Sequence, residues 1–148
     1  MVDGADEVDP RLDLIKGYGG ALVREKIVAA SSARRVIVVD NSKLVPRLGS
    51  RGRLPVEIVP FGLPLCQRLL TELGCPPIIR ATAAGYVVTD NGNYILDCAV
   101  SNIPNAILLD KQIRAIPGVV ASGLFIGIAD VVLIQTGETV DTRRRLRC

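Results

Sequence analysis

Four acidic side chains, Asp3, Asp6, Glu7 and Asp9, fall in the turn-rich run Asp3-Gly4-Ala5-Asp6-Glu7-Val8-Asp9. Lys16 then enters a glycine-rich loop, Gly17-Tyr18-Gly19-Gly20, and Glu25 follows in the segment after it. A glycine-rich loop running into a helix start presents unpaired backbone N–H groups and the positive end of the helix dipole, which suits a phosphate or a developing oxyanion. Lys16 adds a full positive charge at the loop's entry. Glu25 lies about one and a half turns into the expected helix, where a carboxylate with few water contacts has a raised pKa and can act as a general base. Asp3 and Asp6 are spaced to hold, or exchange protons with, neighbouring hydroxyls of a polyol. Together these groups read as sugar-phosphate chemistry through an enediol-like intermediate. The same residues also suit a solvated acidic turn and tight strand–helix packing. An EF-hand is excluded, because no Glu follows a central Gly at the required offset.

The sequence contains no histidine. Ser–His and Cys–His catalysis are therefore excluded, and a general base must be a carboxylate, lysine, tyrosine or thiolate. Cys66, Cys75, Cys98 and Cys148 form no Cys-x-x-Cys pair, which argues against structural zinc. Cys66 and Cys98 sit inside apolar patterns and read as small core residues.

The elements that must position this chemistry follow from periodicity. Residues 21–31 are expected to form a helix, with Leu22, Val23, Ile27 and Ala30 on the packed side and Glu25 on another face. Val36-Ile37-Val38-Val39 is a continuous apolar run, expected of a strand buried on both faces of a mostly parallel sheet. Asp40 to Lys43 is then the loop at its carboxyl end, where open α/β sheets place ligands. Residues 45–53, rich in Gly and basic side chains, read as a linker or mobile loop.

A second unit is expected over 51–125. Residues 54–59 form a strand that Pro55 confines to an edge or first position. Residues 63–73 form a helix with the stripe Leu65, Leu69 and Leu73, and Tyr86-Val87-Val88 pairs with Tyr94-Ile95-Leu96 across Asp90-Asn91-Gly92. A helix over 105–116 and a strand over 119–125 complete a βαββαβ order. Residues 129–135 return to the first sheet. The expected fold class is α/β: a partial Rossmann-like, mostly parallel sheet over 1–50 and 126–148, with an inserted ferredoxin-like α+β unit.

The order of the motifs carries a resemblance. The acidic turn, then Leu14-Ile15-Lys16-Gly17-Tyr18-Gly19-Gly20-Ala21-Leu22-Val23-Arg24-Glu25-Lys26, then Val39-Asp40-Asn41-Ser42-Lys43, resembles ribose-5-phosphate isomerase of the A type. The likeness continues through Leu54-Pro55-Val56-Glu57-Ile58, through 88–97 and through 116–125. It implies interconversion of D-ribose 5-phosphate and D-ribulose 5-phosphate through an enediolate, without a metal or other cofactor. Position by position, it makes Glu25 the proton acceptor. Asp3, Gly4, Ala5 and Asp6, with Lys16, Gly17, Tyr18 and Gly19, become its two substrate-binding segments, and Lys43 a further substrate contact. Asp3 and Asp6 are also candidates for proton movement among the substrate oxygens. Tyr18 stands where many members carry glycine, so a positive φ there would be strained. The resemblance also implies a Gly-Thr-Gly-Ser type loop ahead of the acidic turn and a homodimer. The sequence begins at the acidic turn, so the chain is read as the C-terminal part of such an isomerase.

A chain of 148 residues, nearly half of them apolar, can bury one substantial core or two small ones. No apolar run reaches the roughly 18 residues of a membrane span, and no secretory leader is read, so the cytoplasm is expected. The net charge of +3 is carried by Arg143, Arg144, Arg145 and Arg147 against Asp141. This arginine tail is expected to be a frayed, solvated end, and no motif points to nucleic acid. Two other classes fit the same residues: a sugar-phosphate-binding module without turnover, and a structural role without binding.

Overall fold

The structure, a computed structural model, describes residues 1–146. In chain order the elements are β1 (Val2–Asp3), β2 (Glu7–Val8), β3 (Leu14–Ile15), α1 (Leu22–Ser31), β4 (Val36–Asp40) and β5 (Arg53–Ile58). Then come α2 (Leu63–Glu72), β6 (Pro77–Ile79), β7 (Ala81–Thr82), β8 (Gly85–Tyr86), β9 (Tyr94–Ala99) and α3 (Ala106–Arg114). The chain closes with β10 (Val119–Ser122), β11 (Leu124–Phe125), β12 (Val131–Thr136) and β13 (Thr139–Arg144).

The first sheet has the order β1-β4-β12-β13, parallel except for the final hairpin. Ile37, Val39, Val132 and Ile134 alternate onto its inner face and meet Leu22, Ala29 and Phe125 in one buried cluster. The expected burial on both faces is corrected: Val2 and Val38 point outward, 73% and 47% exposed. The C-terminal segment is also corrected. Residues Thr139–Arg144 form an exposed edge strand, and Arg145 donates to the Asp13 carboxylate at 2.8 Å. Backbone pairing with β12 orders this segment despite its charge. Arg147 and Cys148 lie outside the described residues.

The second sheet is antiparallel, in the order β10-β5-β9-β6. With α2 and α3 this is the βαββαβ ferredoxin-like unit expected from sequence. The two-residue alternation of β5 divides the sheet's faces. Leu54, Val56 and Ile58 join Cys66, Leu70, Leu96, Cys98 and Ile113 in the larger cluster. Pro55, Glu57, Ile95, Asp97 and Ala121 share the opposite face, and Ile95 and Ala121 pack there with α1 and the first sheet.

Four further expectations are revised. β5 is an interior strand despite Pro55, because β10 ends its pairing at Ser122 opposite Val56, so Pro55 leaves no ladder bond unmade. Tyr86 and Tyr94 meet through their rings, edge to face with centroids 5.4 Å apart, but are not strand partners. Both edges of β9 are occupied by β5 and β6, and β8 folds back on β7 instead, although the turn at 89–93 is formed. Residues 45–53 are packed rather than free: Val45 and Leu48 are buried, and the Glu7 carboxylate accepts from the backbone N–H groups of Gly49 and Arg51. The packed faces of the helices also move. In α1 the buried apolar residues are Leu22 and Ala29 while Ile27 is exposed, and in α2 they are Cys66 and Leu70.

A small sheet, β11-β3-β2, joins the two units. Gly123, between β10 and β11, accepts from the Lys16 N–H at 2.9 Å and donates to the Pro55 carbonyl at 2.7 Å. A Cβ at Gly123 would meet the Lys16 carbonyl oxygen at 2.4 Å and Pro55 at 3.1 Å. Gly123→Ala is therefore expected to lower unfolding stability by roughly 1–3 kcal/mol, the usual range for overpacking. Gly137→Ala, with open space around its Cβ but a φ of 58°, should cost only about 1–2 kcal/mol from backbone strain. Urea unfolding of the two variants checks the order.

Candidate active site

Lys16, 3% exposed, stands at the centre of the acidic groups. Its Nζ lies 3.0 Å from Asp3 Oδ2 and 3.4 Å from Glu25 Oε1, and it donates to the Gly4 carbonyl. The ring of Phe125 lies beneath it, 5.7 Å from Nζ to centroid. β1 supplies Asp3, the end of β3 supplies Lys16, and the first turn of α1 supplies Glu25. Three separated segments thus converge on one ammonium.

Glu25 is asymmetric. Oε1 faces Lys16, whereas Oε2 is buried without a hydrogen-bond partner. Burial raises the Glu25 pKa above the ordinary carboxylate value; Lys16 opposes this, and Asp3 and Asp6 reinforce it. Such a carboxylate, with its basicity raised by burial and one oxygen unpaired, suits the role of a general base.

The glycine loop is held from outside. Gly17 and Gly20 adopt φ of 108° and 91°, whereas Tyr18 does not lie in the left-handed region, so its side chain is accommodated without that strain. The Tyr18 N–H donates to Asp6 Oδ2 at 3.0 Å, so Asp6 braces the loop instead of facing Lys16. Arg53 lies over the Tyr18 ring at 4.6 Å, and burial pushes the Tyr18 phenol up to about 12.

Arg80, absent from the expected set, donates to the Gly17 and Tyr18 carbonyls at 3.2 and 3.0 Å. Asp97 anchors Arg80 at 2.7 Å and Arg53 at 3.0 Å. Burial pushes the Asp97 carboxyl up, but hydrogen bonds from Arg80 and then Arg53 outweigh it and hold the pKa below its usual value. Nothing in the local sequence marked Arg80, because the carbonyls it holds lie more than sixty residues away.

Lys26 was also unmarked. Its Nζ donates to the Ser122 and Leu124 carbonyls at 2.7 and 2.9 Å and lies 4.6 Å from the Phe125 ring centroid. It pins α1, and with it Glu25, to the strand that also holds Lys16. Lys43 and Asp40 are not brought to Lys16. With Gly4, Ala5 and Gln135 they line a depression of about 310 Å³ at the carboxyl ends of β1 and β4. Asp40 accepts from the Ser42 N–H at 2.8 Å, the expected Asx-type turn.

Burial pushes the Lys26 ammonium down to about 8, against an upward pull from Asp110 and with a further lowering from Arg114. Between about pH 8 and 10 the unfolded chain holds this proton longer than the folded one, so Lys26 contributes stability that grows as pH rises. The difference in unfolding free energy between the wild-type chain and Lys26→Met is therefore expected to increase from pH 7 to pH 10. Paired urea titrations at the two pH values measure it; a flat difference contradicts the assignment.

The described residues contain no helix long and apolar enough to cross a membrane. The family described as Ribose 5-phosphate isomerase A (phosphoriboisomerase A) matches residues 1–139. A ribose-5-phosphate isomerase A of Roseiflexus sp. (strain RS-1) is 57% identical over 134 residues, which are 90% of this chain and 58% of that protein. That of Thermomicrobium roseum is 49% identical, covering 97% of this chain and 62% of its own length. Among solved structures, ribose 5-phosphate isomerase A from Methanocaldococcus jannaschii superposes with a TM-score of 0.91 at 44% identity, over 97% of this chain and 64% of that one. A D-ribose-5-phosphate isomerase in complex with phospho-erythronic acid gives 0.93 at 38% identity, with the same coverage. This chain thus spans about three fifths of the length of its relatives, and by the match over residues 1–139 it belongs to the ribose 5-phosphate isomerase A family.

Proposed function

We propose that the chain carries the proton-transfer half of an aldose–ketose isomerase acting on D-ribose 5-phosphate and D-ribulose 5-phosphate. The observation that carries this reading is the Glu25 carboxylate, with Oε2 buried and unpartnered and Oε1 3.4 Å from the Lys16 ammonium. Membership of the family and the relative solved with phospho-erythronic acid support the same substrate class.

The chemistry follows from the charges. Glu25 takes the proton from C2 of the aldose, and the electron pair moves to form the C1–C2 double bond of an enediolate. Negative charge gathers on the C1 oxygen, where Lys16 and the loop amides stabilise it. Glu25 returns its proton to C1, and the O2 proton moves to O1 as the C2 carbonyl forms. Asp3 is placed beside Lys16 to relay that oxygen-bound proton, whereas Asp6 acts by fixing Tyr18 and the loop. Lys43, with Gly4 and Ala5, supplies a further contact for the anionic substrate.

In this reading residues 1–50 and 126–148 form the catalytic unit and 51–125 the inserted one, and the whole protein works as a cytoplasmic homodimer. The insert contributes to the site Arg80, which holds the two loop carbonyls, and the 122–125 segment, whose Gly123 carbonyl and Phe125 ring meet Lys16.

Purified chain incubated with ribose 5-phosphate in EDTA is expected to form ribulose 5-phosphate. Glu25→Gln should lower the rate by about 10²–10⁴, the span typical of general acid–base groups. Near-normal turnover by Glu25→Gln would falsify the assignment. In the unsubstituted enzyme kcat/KM should rise as Glu25 deprotonates, with an apparent pKa above the ordinary carboxylate value. Lys16→Met is expected to lower kcat more than it raises KM, because the charge it meets is largest in the enediolate; the opposite split would reduce Lys16 to ground-state binding.

A further inference from the structure

A second cavity is lined by neither Lys16 nor Glu25. Its volume is about 460 Å³, within the ~300–1,000 Å³ range of small-molecule sites. Three segments meet around it: the turn between β2 and β3, the 46–48 segment, and the entry to α3. Pro46, Leu48, Ile103, Pro104 and Ile107 supply apolar walls.

The polar groups at this cavity are unequally used. Asp13 Oδ1 accepts from the Gly127 N–H and from Arg145, both at 2.8 Å. Asp9 Oδ1 accepts from the backbone N–H groups of Arg11 and Asp13, each at 2.9 Å. Asp9 thus serves its own turn, and Asp13 ties that turn to Gly127 and Arg145; burial raises the Asp9 pKa, against a lowering pull from its turn hydrogen bonds and from Arg11. The guanidinium groups of Arg11 and Arg47, by contrast, make no hydrogen bond or ion pair among the described residues.

At the start of α3 the Asn105 side chain takes the Leu108 N–H, whereas the N–H groups of Ala106 and Ile107, two residues that line the cavity, have no partner among the described residues. Two arginines without a hydrogen-bonded partner and two free helix amides on the lining of one cavity match a phosphate monoester, which accepts forked hydrogen bonds and carries up to two negative charges. The apolar walls leave room for more than the phosphate itself.

We infer that this cavity is a second ligand site, for a small phosphate monoester with an apolar or aromatic body, held by Arg11, Arg47 and the amides of Ala106 and Ile107. Phenyl phosphate is the probe, titrated into the ¹⁵N-labelled chain and followed by amide shifts. The site predicts saturable shifts at Arg11, Asp13, Ala106 and Ile107, with binding weakened at least tenfold in the double variant Arg11→Gln, Arg47→Gln. Inorganic phosphate should bind there at least tenfold more weakly than phenyl phosphate. The inference fails if the shifts are confined to residues 16–20 and Lys43, if they rise linearly without saturating, or if the double variant, with the remainder of its spectrum unchanged, binds as the parent does. Equal affinity for the two probes would overturn the role given to the apolar walls.

Discussion

A buried lysine among carboxylates decides how this molecule is put together. Lys16 has almost no contact with water, and an ammonium removed from water is costly unless counter-charges and acceptors surround it. Asp3, Glu25 and the Gly4 carbonyl supply them, and each arrives on a different element. The position of β1 relative to α1 is therefore coupled to the electrostatics of one amine. The arrangement also gives Glu25 two unlike oxygens, one facing the cation and one unpaired, and that inequality carries the proposed chemistry.

The rest of the fold clamps the strand and helix that present those groups. Gly123 approaches the Lys16 backbone more closely than any side chain would permit. Lys26 closes the same region from the helix side, bonding the carbonyls on either side of Gly123. On the opposite face of the second sheet, Asp97 holds Arg80, and Arg80 holds the carbonyls of the glycine loop. The ferredoxin-like unit thus reaches the site through an ion pair on its inner face, while its own apolar core lies on the other. Strand alternation makes this division, because neighbouring residues of β5 and β9 point to opposite sides.

The legible part of the site was local. Asp3, Lys16 and Glu25 were expected together because an acidic turn, a glycine-rich loop and a helix follow one another in a recognisable order. Their meeting at one ammonium agrees with that reading, although Asp6 was turned to bracing the loop through the Tyr18 amide. Arg80 and Lys26 were missed for a common reason: an arginine after a strand and a lysine in a helix are ordinary surface residues by type. The loop and strand groups they hold are backbone carbonyls, which have no signature in a sequence. The same limit explains Pro55, whose interior position is permitted only because a neighbouring strand stops one residue short.

Periodicity, turn chemistry and residue order determined the element types, the βαββαβ unit and the cluster of groups able to move a proton. These are properties of short segments, set by the backbone preferences of glycine and proline and by apolar spacing. The tertiary structure alone decided which face of α1 is buried, that the 45–53 segment is pinned by Glu7, that the arginine-rich end forms an edge strand, and which distant cations steady the loop. Each of those depends on a contact between residues far apart in sequence, where burial and hydrogen-bond satisfaction outweigh local preference.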